Sequence, residues 1–519
     1  MSTTCPKCEG GMAKWGKTPT GTQRYYCKLC KYRTTQPTVT DSPLIDKDTV
    51  KARVADIREL KRSTKVQRYV VTSAQNNTPV HRGFFDALRQ YCRHNDAELL
   101  VIPVRYKNPT GWADRHSEDD LWYPLDVKPY LIDRDLVLNK NIAVMGSIKI
   151  QATAVDPVTG LETISGTRSA VFGHGQLRMK TVATPQDKMP KILHTTGSVS
   201  QRNYSETKAG AKGKHHHSFS ALVVEVVGDV FHLRQLSASS AGSFYDLDKF
   251  YTASGVTAGE GLTALVTGDE HALFMDPVVR AATYENKDSI VKVLSPNTIV
   301  RHDVLDFYPQ NHHHNNDRLV RHINAVTGHH DVRQELDTTL AMIDATTPKG
   351  VESLIVSSNH NEALMRWLNE YKPDRDPFNA LIYHELCAAV YGEAGWTPQG
   401  PKAPDPFELY SRGRLQCNHQ FLSDRKSHLI KGIDVGQHGD RGANGARGAV
   451  NSFAMSEYKM IVGHSHSPAI KFGAYQTGTS TYLQLGYNRG LSSWLQTHCG
   501  IYPNGKRVLI SVINGEWRA

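Results

Sequence analysis

The second half of the chain repeats one rhythm, a short apolar run followed by a cluster of small and metal-ligating residues. Residues 262–267 lead into Gly268-Asp269-Glu270-His271, residues 298–301 into His302-Asp303-Val304-Leu305-Asp306, and residues 353–357 into Ser358-Asn359-His360. Residues 428–434 precede Gly436-Gln437-His438-Gly439-Asp440, and residues 458–462 precede Gly463-His464-Ser465-His466. Short apolar runs bounded by turn-forming residues predict buried strands. Side chains at the carboxyl ends of successive strands are expected to gather on one edge of a sheet, where open α/β sheets place their sites.

The first half has another texture. Residues 69–73 and 98–104 read as short strands, and between them residues 83–95 carry Phe84, Leu88 and Tyr91 at helical spacing. The polar loop 74–81 reads as a solvated turn, with ligand contact as the alternative. Residues 221–227 and 230–236 alternate and are joined by Gly228-Asp229, a hairpin signal. The polar segment 307–352 is expected to be helical in part and to lie beside the metal-ligating edge. Residues 500–518, with the turn Asn504-Gly505, predict a final hairpin that caps a sheet edge or pairs with a second subunit. Two triplets, His215–His217 and His312–His314, are not expected to ligate one ion, because adjacent strand residues point to opposite faces. Each should give one buried, hydrogen-bonded ring and two exposed ones.

With 519 residues, 39% of them apolar, and a mean hydropathy of -0.45, the chain is expected to be globular, soluble and divided into two to four domains. No apolar stretch reaches the roughly 18–20 residues needed to span a bilayer. The first residues, Met1-Ser2-Thr3-Thr4-Cys5-Pro6, lack the layout of a signal peptide, so a cytoplasmic protein with no membrane partner is expected. The net charge is +10, and residues 1–68 hold 15 Lys/Arg against 6 Asp/Glu. A basic end on a nearly neutral body fits one module that holds a polyanion and another that acts on it.

Four of the eight cysteines form Cys5-x2-Cys8 and Cys27-x2-Cys30, two tight turns that together offer four thiolates to a structural zinc ion. Cys92, Cys387, Cys417 and Cys499 have no such spacing and are expected to be inert. Around the second turn Arg24, Tyr25, Tyr26, Lys28, Lys31 and Arg33 alternate rings and cations, a pattern in which bases stack and phosphates are neutralised. This module resembles the zinc ribbons at the front of transposases and other DNA-handling proteins, and DNA is the expected partner. A ribbon that only braces a neighbouring domain is the alternative. Residues 34–46 read as a linker, and residues 47–64 as a basic helix with Val50, Val54, Ile57 and Leu60 on one face.

The five blocks of the second half, in their order, resemble those of the calcineurin-like metallophosphoesterase superfamily: D-x-H, G-D-x-x-D, G-N-H-[DE], G-x-H and G-H-x-H. The resemblance covers roughly residues 260–519. It implies that Asp269, His271 and His466 hold one divalent ion, that Asn359, His438 and His464 hold a second, and that Asp303 bridges both. Manganese or magnesium would serve. It further implies that His360 stabilises developing charge and protonates the leaving oxygen, that Asp306 orients His360, and that a hydroxide shared by the ions attacks in line. Two departures stand out. His302 replaces the family's glycine, and Asn361 replaces its acid, with Glu362 next in the chain. A non-catalytic front half fused to a divergent catalytic half also resembles phage early DNases that degrade host DNA.

The expected fold class is therefore α/β: a metallophosphoesterase β-sandwich flanked by helices over 260–519, preceded by an α/β or α+β domain over 68–250, a basic linker and helix over 37–67, and a small zinc ribbon over 1–36. The expected function is a metal-dependent DNase with a two-metal mechanism. The alternatives are a phosphatase or phosphodiesterase acting on a small molecule or phosphoprotein, and a non-catalytic DNA-binding protein.

Overall fold

The computed structural model describes residues 12–18, 23–28, 31, 33–35, 66–106, 122–310, 317–373, 376–486 and 488–519. The helix expected over 47–64, the triplet His312–His314, and Cys5, Cys8 and Cys30 lie outside the described residues. The protein is a mixed α/β structure with several sheets. No helix among the described residues is long and apolar enough to cross a membrane.

Strands Gln67–Gln75 and Ala97–Val104 are parallel neighbours joined by the helix Arg82–His94. His81 caps that helix by accepting the Phe84 amide, and Phe84, Phe85, Leu88 and Tyr91 turn onto the strands. Strands Ser220–Val227 and Val230–Ser237 form the expected hairpin, with Val227 opposite Val230, and the first of them pairs with Gln67–Gln75. The loop after Gln67–Gln75 departs from expectation. Gln75, Asn76, Asn77 and Thr78 are buried rather than solvated. The asparagine amides make burial possible, because they replace missing backbone partners. Asn76 Oδ1 accepts the Tyr106 amide at 2.6 Å, and Asn77 Oδ1 accepts the Trp122 amide at 2.9 Å.

A six-stranded sheet runs in the order His419–Leu422, Glu352–Val356, Thr298–Arg301, Ala264–Val266, Thr497–Ile501, Arg507–Ser511. Its first four strands are parallel, and the final hairpin closes one edge antiparallel to Ala264–Val266. Alternate residues face opposite sides of the sheet and enter three clusters. Ala264, Val266, Val300, Leu354 and Val356 point into the core shared with other sheets. Leu265 and Ile299 point into a second cluster with Ile290 and Leu294, and Ile355 into a third with Leu336, Leu364, Trp367 and Leu386. Coverage of both faces is why these strands read as unbroken apolar runs. The segment 307–352 is helical in part, as expected, with helices Arg318–Thr327 and Val332–Thr346.

The boundary expected near residue 250 does not separate the sheets. A ten-stranded sheet takes Leu429–Ile430, Ile433–Asp434, Lys459–Val462, Ala474–Gln476 and Ala469–Lys471 from the second half. It continues through Arg178–Val182, Lys191–Thr195, Ser169–Phe172, Ile142–Met145 and Asp135–Asn139 from the first. The join is the antiparallel pair Ala469–Lys471 with Arg178–Val182, where Arg178 also donates to the Ile470 carbonyl at 3.0 Å. The largest core cluster accordingly mixes Val71, Val144 and Ile192 with Val266, Ile461 and Leu509. The triplet His215–His217 ends the helix Lys208–His216 rather than lying in a strand. His217 is its buried, hydrogen-bonded ring, His216 stacks on Phe472 with ring centroids 3.8 Å apart, and His215 is exposed.

A fragment spanning residues 260–519 would expose the open edge of Ala469–Lys471 and half of the shared core. Expressed alone, it should fail to unfold cooperatively in a denaturant titration, unlike the full chain. A sharp, two-state transition for the fragment would contradict the shared-sheet architecture.

Candidate metal centre

The five blocks come from two sheets rather than one edge. The first three follow the parallel strands Ala264–Val266, Thr298–Arg301 and Glu352–Val356, and the last two follow Ile433–Asp434 and Lys459–Val462 of the ten-stranded sheet. The run expected as one strand over 428–434 is instead two short antiparallel strands, reversed at Lys431 and Gly432, both at positive φ.

Beyond the strand ends the first two blocks stay zipped together. The Glu270 amide donates to the His302 carbonyl at 3.0 Å and the His271 amide to the Asp303 carbonyl at 2.7 Å. Strand alternation sends Glu270 away from its neighbours, where the fully buried Arg301 receives it. Arg301 Nη1 lies 2.8 and 3.0 Å from the two Glu270 oxygens, Arg301 Nε donates to Ser353 Oγ at 2.8 Å, and the Tyr284 hydroxyl donates to Glu270. The third block opens the helix Asn359–Glu370, whose cap Ser358 accepts the amides of His360 and Asn361. The fifth block closes on the fourth through the Gly463 amide, which donates to the His438 carbonyl at 2.6 Å. A Cβ on Gly463 would overlap Asp269 Oδ1, so only glycine lets the two sheets' loops approach this closely.

Ligand atoms of Asp269, His271, Asp303 and His466 all lie within 4.8 Å of one another, and so do those of Asp303, His438 and His464. Asp303 belongs to both groups. His466 Nε2 is 3.1 Å from Asp269 Oδ2 and 3.2 Å from His271 Nε2, while His438 Nε2 is 3.1 Å from Asp303 Oδ2. The carboxylate contacts lack hydrogen-bond alignment: both oxygens of Asp269, Oδ1 of Asp303, Nε2 of His438 and Oδ1 of Asn359 are buried with no hydrogen-bond partner. Orphaned buried oxygens and nitrogens are costly, roughly 1–3 kcal/mol each, and a cation among them would satisfy all of them. The donor set, carboxylate and amide oxygens with imidazole nitrogens, suits hard or borderline divalent ions. These groups could hold a metal ion.

The backbone is bent to achieve this. His271, Asp303, His464 and His466 have φ of 42, 47, 71 and 57°, all in the left-handed region. Such residues cost on the order of 1–3 kcal/mol each and persist where surrounding structure enforces them.

His360 and Asp306 sit at the rim. His360 Nδ1 lies 2.6 Å from the Asp306 carbonyl oxygen. A carbonyl only accepts, so Nδ1 carries a proton and Nε2, 3.9 Å from Asp303 Oδ2, faces the centre. The Asp306 carboxylate differs from expectation. Its Oδ1 hydrogen-bonds to His271 Nδ1 at 3.1 Å and stands 3.7 Å from His360 Nδ1. It therefore orients His271 by its side chain and His360 by its main chain. Asn359, His360 and His464 are half-buried while Asp269, His271, Asp303, His438 and His466 are buried, so the first three mark the open side of the centre.

Burial opposes charge throughout the cluster, and the neighbours decide each outcome. Burial disfavours the charged His271 ring, but the hydrogen bond to Asp306 and the charges of Asp303, Asp306 and Asp269 push its pKa up to about 9. Against burial, the charges of His438, His360 and His271 hold Asp303 well below the usual carboxylate range. Burial keeps His464 and His466 below the usual imidazole value. His302, packed 3.4 Å from His438 ring to ring through their Nδ1 atoms, is pushed down to about 4 by burial and the charge of His438.

Over 464 residues, 87% of this chain and 83% of the other, the sequence is 33% identical to Protein A1 of Escherichia phage T5. The chain belongs to the family of that protein. No family model and no solved structure matches it.

Away from the centre, the described part of the N-terminal module is a three-stranded antiparallel sheet of Met12–Lys17, Gln23–Cys27 and Arg33–Thr34. Of the cysteines expected to hold zinc, Cys27 is described and is buried. Arg24 and Arg33 lie over the Trp15 ring, with guanidinium carbons 5.4 and 4.2 Å from its centroid, and Lys31 Nζ is 5.8 Å from the Tyr26 centroid. Tyr25 is half-buried and Lys28 exposed. Trp15, 44% exposed and at the middle of this arrangement, was not among the residues expected to contact DNA. Cys92 and Cys499 are pushed up to about 12 by burial, as inert thiols should be.

Sequence reasoning also missed the Glu270–Arg301 pair and His498, a buried ring that accepts the Gly268 amide at 3.0 Å. A charged residue inside an apolar strand was the available signal for Arg301. Replacing Glu270 with Gln should destabilise the protein by about 3–5 kcal/mol, because it strands a buried guanidinium. The double replacement Glu270→Gln with Arg301→Met should recover part of that loss. Chemical denaturation of Glu270→Gln, Arg301→Met and the double variant measures this, and additive losses would contradict the pairing.

Proposed function

We propose that the protein is a metal-dependent phosphoesterase of the calcineurin-like metallophosphoesterase type, and that its substrate is DNA. The observation that carries the reading is the sharing of Asp303 between two groups of buried ligand atoms. Asp269, His271 and His466 would hold one divalent ion, Asn359, His438 and His464 the other, with Asp303 between them. Manganese and magnesium both suit these donors. Bound there, the ions supply charge neutralisation at a phosphoryl group and activation of water.

The chain's own residues do the rest. Asp306 accepts the Nδ1 proton of His271, which leaves the Nε2 lone pair directed inward. The Asp306 carbonyl likewise fixes the Nδ1 proton of His360, so that Nε2 can stabilise charge on a phosphoryl oxygen and deliver a proton to the leaving oxygen. The open side formed by Asn359, His360 and His464 admits the substrate. Glu362 takes no direct part: it pairs with Arg425 at 3.0 Å and with Arg441.

DNA as substrate rests on the front end. Arg24, Tyr26, Lys31 and Arg33, grouped around an exposed Trp15, offer rings for stacking and cations for phosphates. Cys5, Cys8, Cys27 and Cys30 would hold a structural zinc ion that fixes this small sheet.

Incubation of the purified protein with supercoiled and linear DNA, with manganese or with EDTA, tests the proposal. Manganese-dependent cleavage should vanish in Asp303→Ala, and should fall by roughly 10²–10⁴-fold in His360→Ala, as expected for a lost general acid. DNA left intact while a p-nitrophenyl phosphate ester is hydrolysed would move the substrate to small phosphoesters.

A further inference from the structure

One buried acid near the centre has no part in the ligand set. Glu335 lies in the first turn of the helix Val332–Thr346 and is 3% exposed. An acid in a first helical turn is usually solvated. Here the side chain instead shares the helix's buried face with Val332, Leu336, Thr339 and Ile343 and reaches the loop after Asp303. Glu335 Oε1 accepts the Tyr308 amide at 3.3 Å, Oε2 is buried with no hydrogen-bond partner, and burial with the charge of Asp306 holds the carboxyl well above the usual carboxylate range. Phe307 has a φ of 53°. This left-handed residue turns the loop so that the Tyr308 amide meets the Glu335 carboxyl. Burying a carboxyl is costly enough that an apolar side chain would fill the space at less expense, so the loop it holds is where its purpose should be sought.

That loop serves two histidines. Its Asp306 carbonyl accepts His360 Nδ1–H at 2.6 Å, and its Asp306 carboxylate accepts His271 Nδ1–H at 3.1 Å. We propose that Glu335 is a positioning residue for the leaving-group acid: by accepting the Tyr308 amide it fixes the turn that aims the Asp306 carbonyl at His360, and so fixes which nitrogen of that ring faces the substrate. The inference rests on the phosphodiesterase reading given above. In the step concerned, the oxygen of a hydroxide derived from water bonds to phosphorus as the bond from phosphorus to the leaving oxygen breaks; the electron pair of the broken bond goes to the leaving oxygen, which takes the Nε2 proton of the protonated His360 ring. The ring is left neutral with its Nδ1 proton held by Asp306. Without Glu335 the Asp306 carbonyl loses its aim, the two nitrogens of His360 lose their assigned roles and proton delivery fails, while His271 keeps its main-chain tie to Asp303 at 2.7 Å.

The test compares Glu335→Leu, which keeps the volume, and Glu335→Gln, which keeps one acceptor oxygen, on two substrates. DNA expels an alkoxide that needs a proton; bis(p-nitrophenyl) phosphate expels a nitrophenolate that does not. Glu335→Leu should lower kcat on DNA by about tenfold or more and change the nitrophenyl ester by no more than about twofold, while Glu335→Gln stays near wild type. Equal losses on both substrates, or none on either, would overturn the proposal. A second readout does not depend on turnover. In protein labelled with ¹⁵N-histidine, with His360 identified by comparison with His360→Gln, neutral His360 should carry its proton on Nδ1. It should become a mixture of tautomers in Glu335→Leu and remain on Nδ1 in Glu335→Gln. An unchanged tautomer in Glu335→Leu contradicts the proposal. If the wild-type protein hydrolyses neither ester, the phosphodiesterase reading fails, while the tautomer comparison still decides whether Glu335 positions His360.

Discussion

The structure turns on buried charge that has no internal answer. Asp269 and Asp303, with Asp306 beside them, face His271, His438 and His466 among buried side chains, yet both oxygens of Asp269 and one of Asp303 find no hydrogen-bond partner. Isolated carboxylates in a dry interior are penalised by several kcal/mol each. His271, Asp303 and His466 also hold left-handed backbone conformations, as does the neighbouring His464. Proteins tolerate such a concentration of strain and unmet polarity where a ligand resolves it. A cation at this point would reconcile the electrostatics with the strain.

The architecture follows from keeping that cluster together. Three loops come from parallel strands of one sheet and two from a second sheet, so the centre can exist only if the sheets are locked face to face. The lock has visible parts: the Arg301–Glu270 pair ties the first two loops, Gly463 lets the fifth loop touch Asp269, and the antiparallel join of Ala469–Lys471 with Arg178–Val182 extends the second sheet into the first half of the chain. The first half is thus part of the frame that holds the centre, rather than a separate body attached to it.

Much of this was legible in the sequence where one-dimensional patterns control the outcome. The parallel strands announced themselves as apolar runs because both faces are covered, the Gly228-Asp229 hairpin formed where its turn residues stand, and the residues singled out in the five blocks converge. What escaped detection depended on contacts between segments far apart in the chain. The loop 74–81 looked solvated because its residues are polar, but the amides of Asn76 and Asn77 answer backbone groups near Tyr106 and Trp122. The ten-stranded sheet joins residues nearly 300 positions apart, and no local pattern encodes such a register. Asp306 was expected to orient His360, and the contact between them runs through the Asp306 carbonyl, which no sequence pattern specifies. The most fully encoded feature was the identity of the polar residues; the least encoded was which neighbour each would meet.

The central claim is that Asp303 stands between two cations held by one cluster. Manganese titration of the metal-stripped protein, followed by electron paramagnetic resonance, tests it most directly. The account predicts two manganese ions per chain whose signal shows exchange coupling between neighbouring centres. A single uncoupled ion, or no tight binding at all, would contradict it.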